Sequence, residues 1–193
     1  MSDSIGNLKK SVVFNLMLGN KELSHSNFWA FLIGEYNDIA RVFFDDIDVG
    51  GKLSVKREKN HTDILITDKY GNNYIIENKL KSLPNETQLN NYTNQIKNLK
   101  AGLLTGVIKS NLKLPDNWKY MTYKEITSKL CNYINILETT TEKVVLEEYI
   151  EILNHIEESL GNAIKQTEGV WDLSPSHELS KIRFHDLFLK YKG

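Results

Sequence analysis

The first part of the chain has apolar residues at helical spacing, followed by short segments with strand character. From about Ile5 to Tyr36 apolar residues recur about every three or four positions, and Gly19-Asn20 predicts a break between two short helices. Three strand candidates follow: residues 52–57, 63–67 and 73–79. Turn-forming residues separate the last two, which predicts a β-hairpin.

The remainder of the chain changes between helical and extended patterns. Helical spacing predicts a helix over about residues 85–100, with Pro84-Asn85 as its start signal. Two strands are then predicted, over residues 102–109 and 118–122. A helix with its apolar positions over 126–137 and a long helix over about 142–160 follow. The order α–β–β–β–α–β–β–α, followed by C-terminal helices, predicts an α/β fold with a mixed central sheet flanked by helices.

Length and composition predict one domain. The 193 residues, 40% of them hydrophobic, fit a single domain over 1–193, with a core over about 20–138 and a C-terminal helical extension over 142–193. There is no apolar run of about 18 residues, and the N-terminus lacks the basic-then-apolar order of a signal peptide. We therefore expect a cytoplasmic protein with no membrane association.

Cysteine content and charge narrow the chemistry. A single cysteine, Cys131, excludes an intramolecular disulfide and a multi-cysteine zinc or iron–sulfur site within one chain. We expect it to be a small buried side chain. The formal net charge is −1, but residues 51–131 hold 14 basic and 7 acidic residues and the rest holds 10 and 18. The basic middle either attracts phosphates or forms ordinary lysine-rich solvated surfaces.

The segment from His61 to Tyr92 contains the candidate chemistry. Strand alternation puts Glu77 and Lys79 on one face of an otherwise apolar strand, and Asp63 begins the neighbouring strand. Two adjacent carboxylates repel each other unless a cation lies between them, and Mg²⁺ and Mn²⁺ prefer oxygen ligands. The pattern predicts a divalent-metal site, with Lys79 available to orient a water molecule or steady developing negative charge.

A simpler interpretation treats these residues as solvated charges or as a cross-strand ion pair. Their neighbours favour the metal site. Asn78 lies between Glu77 and Lys79, and Gln88 and Tyr92 then follow at i and i+4 on one helix face. Taken separately, Gln88 and Tyr92 would be ordinary helix surface and core positions.

The amino-acid sequence of this segment resembles that of the PD-(D/E)XK nuclease superfamily. The degenerate motif of that superfamily is an Asp, a spacer of variable length, and Glu-x-Lys, which Asp63, Glu77 and Lys79 match. The segments T-D-I-L-I, I-I-E-N-K and Q-L-x-x-Y are similar to those of a group of bacterial and phage members. Gln88 and Tyr92 also resemble the Q-x-x-x-Y motif of RecB-like exonucleases.

The resemblance spans about residues 22–130 and implies a restriction-endonuclease-like αβββαβ core. The roles that it implies are metal binding by Asp63, Glu77 and the Asn78 carbonyl, and catalysis or support of the site by Lys79, Gln88 and Tyr92. The implied cofactor is Mg²⁺ or Mn²⁺, and the implied partner is DNA. The single cysteine departs from those relatives that carry a four-cysteine iron–sulfur cluster.

An upstream helix offers further candidates. Glu22, His25 and Ser26 share one helix face and resemble an E-x-x-H-S pattern of many relatives, which implies that Glu22 is another metal-site carboxylate. Alternatively, Glu22 complements the helix dipole, or Ser24 or Ser26 makes a capping interaction. Glu35 is a second candidate for the additional metal-site carboxylate. His25 and His61 could each contact phosphate, although a lone histidine is more often structural.

Two functions fit these observations. The first is a Mg²⁺-dependent deoxyribonuclease that hydrolyses phosphodiester bonds, with Gln88 and Tyr92 favouring exonucleolytic over endonucleolytic cleavage. The second is a nuclease-like fold that acts as a non-catalytic binding or regulatory protein of the phage or mobile-element type, against which the intact motif argues. Ile152 and Leu153 of the long C-terminal helix predict either burial within the domain or a homodimer contact.

Overall fold

Five strands form one mixed sheet within the residues that the computed structural model describes, which are 2–17, 21–80, 82, 85–107, 112–168, 170 and 172–192. The strands are β1 (Ser54–Arg57), β2 (Ile64–Thr67), β3 (Asn73–Lys79), β4 (Leu99–Gly106) and β5 (Trp118–Thr122). They lie side by side in chain order. The pairs β1–β2 and β2–β3 are antiparallel, whereas β3–β4 and β4–β5 are parallel.

Helices flank this sheet. They are α1 (Ser2–Lys10), α2 (Val12–Leu16), α3 (Glu22–Glu35), α4 (Ala40–Phe43), α5 (Glu86–Gln95), α6 (Tyr123–Leu130), α7 (Thr140–Gln166), α8 (Ser174–Ser180) and α9 (His185–Lys192). Short 3₁₀ turns cover Asn37–Ile39, Lys59–His61 and Cys131–Ile136. The expected α/β class with a mixed central sheet is confirmed, and the restriction-endonuclease-like assignment stays a prediction.

Strand alternation gives the sheet two differently covered faces. The α3 face carries Ile64, Ile76 and Leu103 and packs against a large core that includes side chains of α1, α3, α6 and α7. The α5 face carries Leu65, Ile75 and Leu104 and packs against a smaller cluster with Leu89 and Tyr92 of α5. Because β3 is buried on both faces, its middle is an uninterrupted apolar run, Tyr74 to Ile76, and the polar residues Glu77 to Lys79 end the strand.

The predicted hairpin between β2 and β3 is present. The carboxylate of Asp68 accepts the N–H groups of Tyr70 and Asn72 at 2.9 Å each, and Gly71 adopts the left-handed φ of 82°. Asp and Gly at these positions fix a tight turn. The turn sets the register of the two strands that carry the candidate site.

The N-terminal helices differ from the prediction. The segment forms three helices rather than two, because Ser11 ends the first and caps the second by accepting the N–H of Phe14 at 3.0 Å. The predicted break at Gly19-Asn20 lies outside the described residues. The long α7 begins at a capping box between Thr139 and Glu142 and extends beyond the predicted 142–160.

The predicted helix over 85–100 was too long. Asn85 caps α5 by accepting the N–H of Thr87, as expected, whereas Pro84 lies outside the described residues. The helix ends at Gln95, and Asn98 takes a left-handed φ of 52° that turns the chain into β4. Leu99 therefore meets the α5-face cluster from a strand rather than a helix, and the strand that was predicted over 102–109 begins earlier.

Two side-chain expectations are settled by burial. Ile152 and Leu153 are 1% and 0% exposed, so they pack within the chain's own core rather than against a second copy, and the homodimer stays a prediction. The expectation that Cys131 is buried was wrong, because the side chain is exposed. Its neighbour Leu130 faces the core, and successive helical residues point about 100° apart.

The helix after β5 is shorter than predicted. It ends at Leu130, and the 3₁₀ turn Cys131–Ile136 covers the rest of the predicted 126–137. The predicted strand over 118–122 matches β5. No helix in the part of the chain that the structure describes combines the length and apolar character needed to cross a bilayer.

Candidate metal and catalytic site

The site lies where the end of β3 meets the start of β2. The antiparallel register pairs Ile64 with Ile76, which brings Asp63 beside the last residues of β3. The Asp63 Oδ2 atom accepts the backbone N–H of Asn78 at 2.7 Å. The hairpin therefore holds the Asp63 carboxylate directly against the Glu77–Asn78 peptide.

Glu77 is the centre of the hydrogen-bond network on the α5 face. Its Oε1 atom accepts from the Lys79 ammonium at 2.7 Å and from the Gln88 amide at 3.0 Å. The Tyr92 hydroxyl accepts from the same amide at 2.6 Å and donates to the His61 carbonyl at 2.5 Å. The structure thus brings together four residues that the sequence predicted, Glu77, Lys79, Gln88 and Tyr92.

The second oxygen of Glu77 is poorly satisfied. Its Oε2 atom is buried, in a residue that is 2% exposed, and forms no hydrogen bond of regular geometry among the described residues; the Asp63 backbone N–H only weakly lowers the pKa of this carboxyl. A buried carboxylate oxygen that is poorly satisfied is costly and calls for an explanation such as a bound ion.

The surroundings of the two carboxylates also disfavour their charged forms. Burial, and then the nearby negative charge of Asp63, raise the pKa of Glu77 to about 7, although Lys79 and, more weakly, the Asp63 backbone N–H oppose the shift. Burial also raises the pKa of Asp63, with the carboxylates of Glu22 and Glu58 adding to the effect and the Asn78 N–H and Lys79 opposing it. The two carboxylates lie in surroundings that lack enough positive charge.

Asn78 turns its side chain to the other face of β3. Its amide oxygen accepts from the Tyr123 hydroxyl at 2.6 Å, and its amide nitrogen donates to the Glu22 carbonyl at 3.2 Å and to the Ser26 hydroxyl at 3.4 Å. The amide therefore joins β3 to the first turn of α3 and to the start of α6. The predicted role of the Asn78 carbonyl as a metal ligand stays a prediction.

Glu22 lies near the site but is held by another partner. Its Oε1 atom accepts the backbone N–H and the hydroxyl of Ser82, each at 2.8 Å. Its charge is close enough to raise the pKa of Asp63. Among the described residues no three His, Cys, Asp or Glu side chains group closely enough to hold a metal ion, so Glu22 as a third ligand stays a prediction.

The remaining sequence candidates separate clearly. His25 is fully buried, and its Nδ1 atom forms a hydrogen bond with the Tyr149 hydroxyl at 2.9 Å, so it is structural rather than a phosphate contact. Glu35 ends α3, about 20 Å along the helix from Glu22, and is exposed. His61 is exposed beside the site.

Three residues around the site were not found from the sequence. Ser82 and Tyr123 bond to Glu22 and Asn78 across 60 and 45 positions, and no local pattern signals such pairs. Gly106 lies opposite Lys79 in the parallel pair, and a Cβ there would come within 2.6 Å of the Lys79 carbonyl oxygen. A lone glycine inside a strand does signal a close backbone approach.

These donors fit a hard divalent cation. Asp63 and Glu77 supply carboxylate oxygens, one of which lacks a hydrogen bond of regular geometry, and their mutual repulsion would be relieved by a positive ion. An ordinary surface ion pair explains neither the burial nor the poorly satisfied oxygen. Comparison of the chain with protein-family models, with curated proteins and with solved structures finds no match.

Proposed function

We propose that the chain is a metal-dependent nuclease that hydrolyses phosphodiester bonds of DNA, with the core of a PD-(D/E)XK enzyme. The observation that carries the proposal is the buried Glu77 carboxylate, which has one oxygen on Lys79 and Gln88 and the other without a hydrogen bond of regular geometry. Buried acids with raised pKa values beside a lysine are typical of catalytic sites rather than of stabilising ion pairs.

Each residue has a distinct task in this proposal. Asp63, Glu77 and the Asn78 carbonyl would hold Mg²⁺ or Mn²⁺, which when bound supplies charge stabilisation at the phosphoryl oxygens and lowers the pKa of a water molecule. The Lys79 ammonium would orient the attacking water and steady the negative charge that develops at phosphorus. Gln88 fixes the Glu77 carboxylate through the 3.0 Å hydrogen bond.

The order of the strands supports the proposal without deciding it. A helix, a three-stranded antiparallel unit, a crossover helix and a parallel strand follow one another as α3, β1 to β3, α5 and β4. This is the order that the sequence resemblance implies. Fold alone does not assign an activity, so the side-chain chemistry carries the argument.

The test incubates the purified chain with linear duplex, circular duplex and single-stranded DNA, and with RNA, in Mg²⁺ or Mn²⁺ and in EDTA. Cleavage that requires the metal and falls at least about a hundredfold in Lys79→Ala would support the proposal. Lys100→Ala is the matched control, because Lys100 is exposed at the opposite end of β4. Cleavage of circular DNA would identify an endonuclease, and cleavage restricted to linear substrates an exonuclease.

The opposite result is equally clear. If no nucleic acid is cut, and calorimetry detects no Mn²⁺ binding that is lost in Asp63→Asn and Glu77→Gln, the nuclease proposal is wrong. The non-catalytic binding protein would then be the remaining candidate. Circular dichroism of each variant separates loss of the site from loss of the fold.

A further inference from the structure

The loop between β1 and β2 has an unusual and well-fixed backbone. Glu58 and His61 have left-handed φ values of 51° and 64°, which cost a residue other than glycine about 1 kcal/mol or more each. The Thr62 N–H and hydroxyl both donate to the Lys59 carbonyl, at 3.1 and 2.7 Å, and the Glu58 N–H donates to the Asp63 carbonyl at 3.3 Å. The loop is held in a single shape.

A chain of hydrogen bonds connects this loop to the candidate site. The Tyr92 hydroxyl donates to the His61 carbonyl and accepts from Gln88, and the Gln88 amide also donates to Glu77. Asp63 follows His61 by two residues. The position of the loop is therefore tied to both carboxylates of the site.

One basic side chain of the β1–β2 segment, that of Lys56, stands on the same side of the sheet as the site, and two more are exposed on the loop that leads to Asp63. Lys56 pairs with Leu65 in the β1–β2 register, so it lies on the α5 face with Asp63 and Glu77. Lys56 is exposed on β1, which is an edge strand, and Lys59 and His61 are exposed on the loop that follows.

The charge of the region is positive on balance. Residues 56–61 hold three basic residues and one acid, Glu58, which lies 3.8 Å from Arg57 and whose charge also acts on Asp63. Lysine ammonium groups and a neutral or charged imidazole can all donate hydrogen bonds to phosphate oxygens. The chemistry fits a polyanion whose repeating unit is a phosphodiester.

We propose that Lys56, Lys59 and His61 form a phosphate-binding track that holds the backbone of the DNA strand beside the Asp63–Glu77 site. The proposal rests on the proposed nuclease function and adds the path by which the substrate enters. The track would contact phosphates rather than bases, so its contribution would not depend on sequence. The fixed loop would hold its phosphate contacts at a constant distance from the carboxylates.

The test measures DNA binding without cleavage. A fluorescent oligodeoxynucleotide, single-stranded or duplex, is titrated in EDTA with protein that carries Glu77→Gln, over about 50 to 300 mM salt. Adding Lys56→Ala or Lys59→Ala should weaken binding about fivefold for the single strand and about eightfold for the duplex at 0.1 M salt, and should lower the salt slope by about 0.7 and 0.9. His61→Ala should weaken binding about threefold.

Lys100→Ala in the same background is the matched control and should change neither the affinity nor the salt slope. If Lys56→Ala and Lys59→Ala behave like this control, the track is wrong, whether or not the chain cleaves DNA. If Lys56→Ala and Lys59→Ala both lower the salt slope, but the chain without substitutions cuts no substrate with Mg²⁺, the track is supported and the nuclease proposal is wrong. If the protein that carries Glu77→Gln alone does not bind DNA, the track is also wrong.

Discussion

The two faces of β3 treat their buried polar groups in opposite ways. On the α3 face, the neutral amide of Asn78 has partners at both ends, in Tyr123, Ser26 and the Glu22 carbonyl. On the α5 face, the carboxylate of Glu77 has one oxygen without a hydrogen bond of regular geometry, and burial raises its pKa to about 7.

The difference separates structure from function within one strand. The Asn78 amide, which is neutral and hydrogen-bonded at both ends, stabilises one arrangement of α3, β3 and α6, although the Thr105 hydroxyl opposite it has no partner among the described residues. A partly satisfied buried charge lowers the stability of the metal-free protein, so its presence needs another explanation. Binding of a divalent cation, as proposed above, would supply that explanation, and each variant below changes one face of β3.

The largest effect on stability is expected at Asn78. We expect Asn78→Ala to lower the free energy of unfolding by about 3 kcal/mol, because it leaves the buried Tyr123 hydroxyl without its acceptor and opens a polar cavity. Urea denaturation measures the change. Asn90→Ala, an exposed position on α5, is the control. A loss below about 1 kcal/mol would mean that the α3 face is not the stabilising one.

A smaller effect of opposite sign is expected at Glu77. Its pKa in the folded chain, about 7, exceeds the ordinary 4.5, so the folded state holds a proton that the unfolded chain has released. Stability therefore falls as pH rises from about 4.5 to 7 and stays lowered above that. We expect Glu77→Gln to raise the free energy of unfolding by about 1 to 3 kcal/mol at pH 8, and by nothing below pH 4.5.

The Glu77→Gln measurement uses denaturation in EDTA at several pH values. Glu151→Gln on α7 is an exposed control that should show no such pH dependence. The pKa of Glu77 already includes the attraction of Lys79, so loss of that ion pair does not reverse the expected sign. Destabilisation at pH 8 would show that the Lys79 ion pair outweighs desolvation, and the two faces would then no longer differ as described.

The features of β3 that the sequence predicts are local, and those that it does not predict depend on residues far away in the chain. The bounds of β3, Asn73–Lys79, match the prediction, since the apolar residues Tyr74 to Ile76 and the turn-forming residues before them are local signals. Alternation also predicted that Glu77 and Lys79 share a face. The orientation of Asn78 toward Tyr123 was not predictable, because its partners lie 45 or more positions away.

The errors in the prediction have a similar physical origin. Leu99 fits the helical spacing of α5, yet Asn98 turns the chain and the same side chain reaches the same apolar cluster from β4. Cys131 fits a buried small residue by type, but its place after Leu130 turns it outward. Local spacing predicts which residues seek the core, whereas the chain reversals decide from which element they reach it.

The smallest effects come from a matched pair of tyrosines, one on each face. Tyr123→Phe removes the donor to Asn78, and we expect it to lower the free energy of unfolding by about 1 to 2 kcal/mol while leaving DNA affinity unchanged. Tyr92→Phe removes the donor to the His61 carbonyl and should instead weaken DNA binding about threefold, because the loop loses its anchor. Denaturation and fluorescence titration on both variants give the comparison. If Tyr123→Phe weakens DNA binding as much as Tyr92→Phe does, the α3 face takes part in binding, and the division between a structural and a functional face of β3 is wrong.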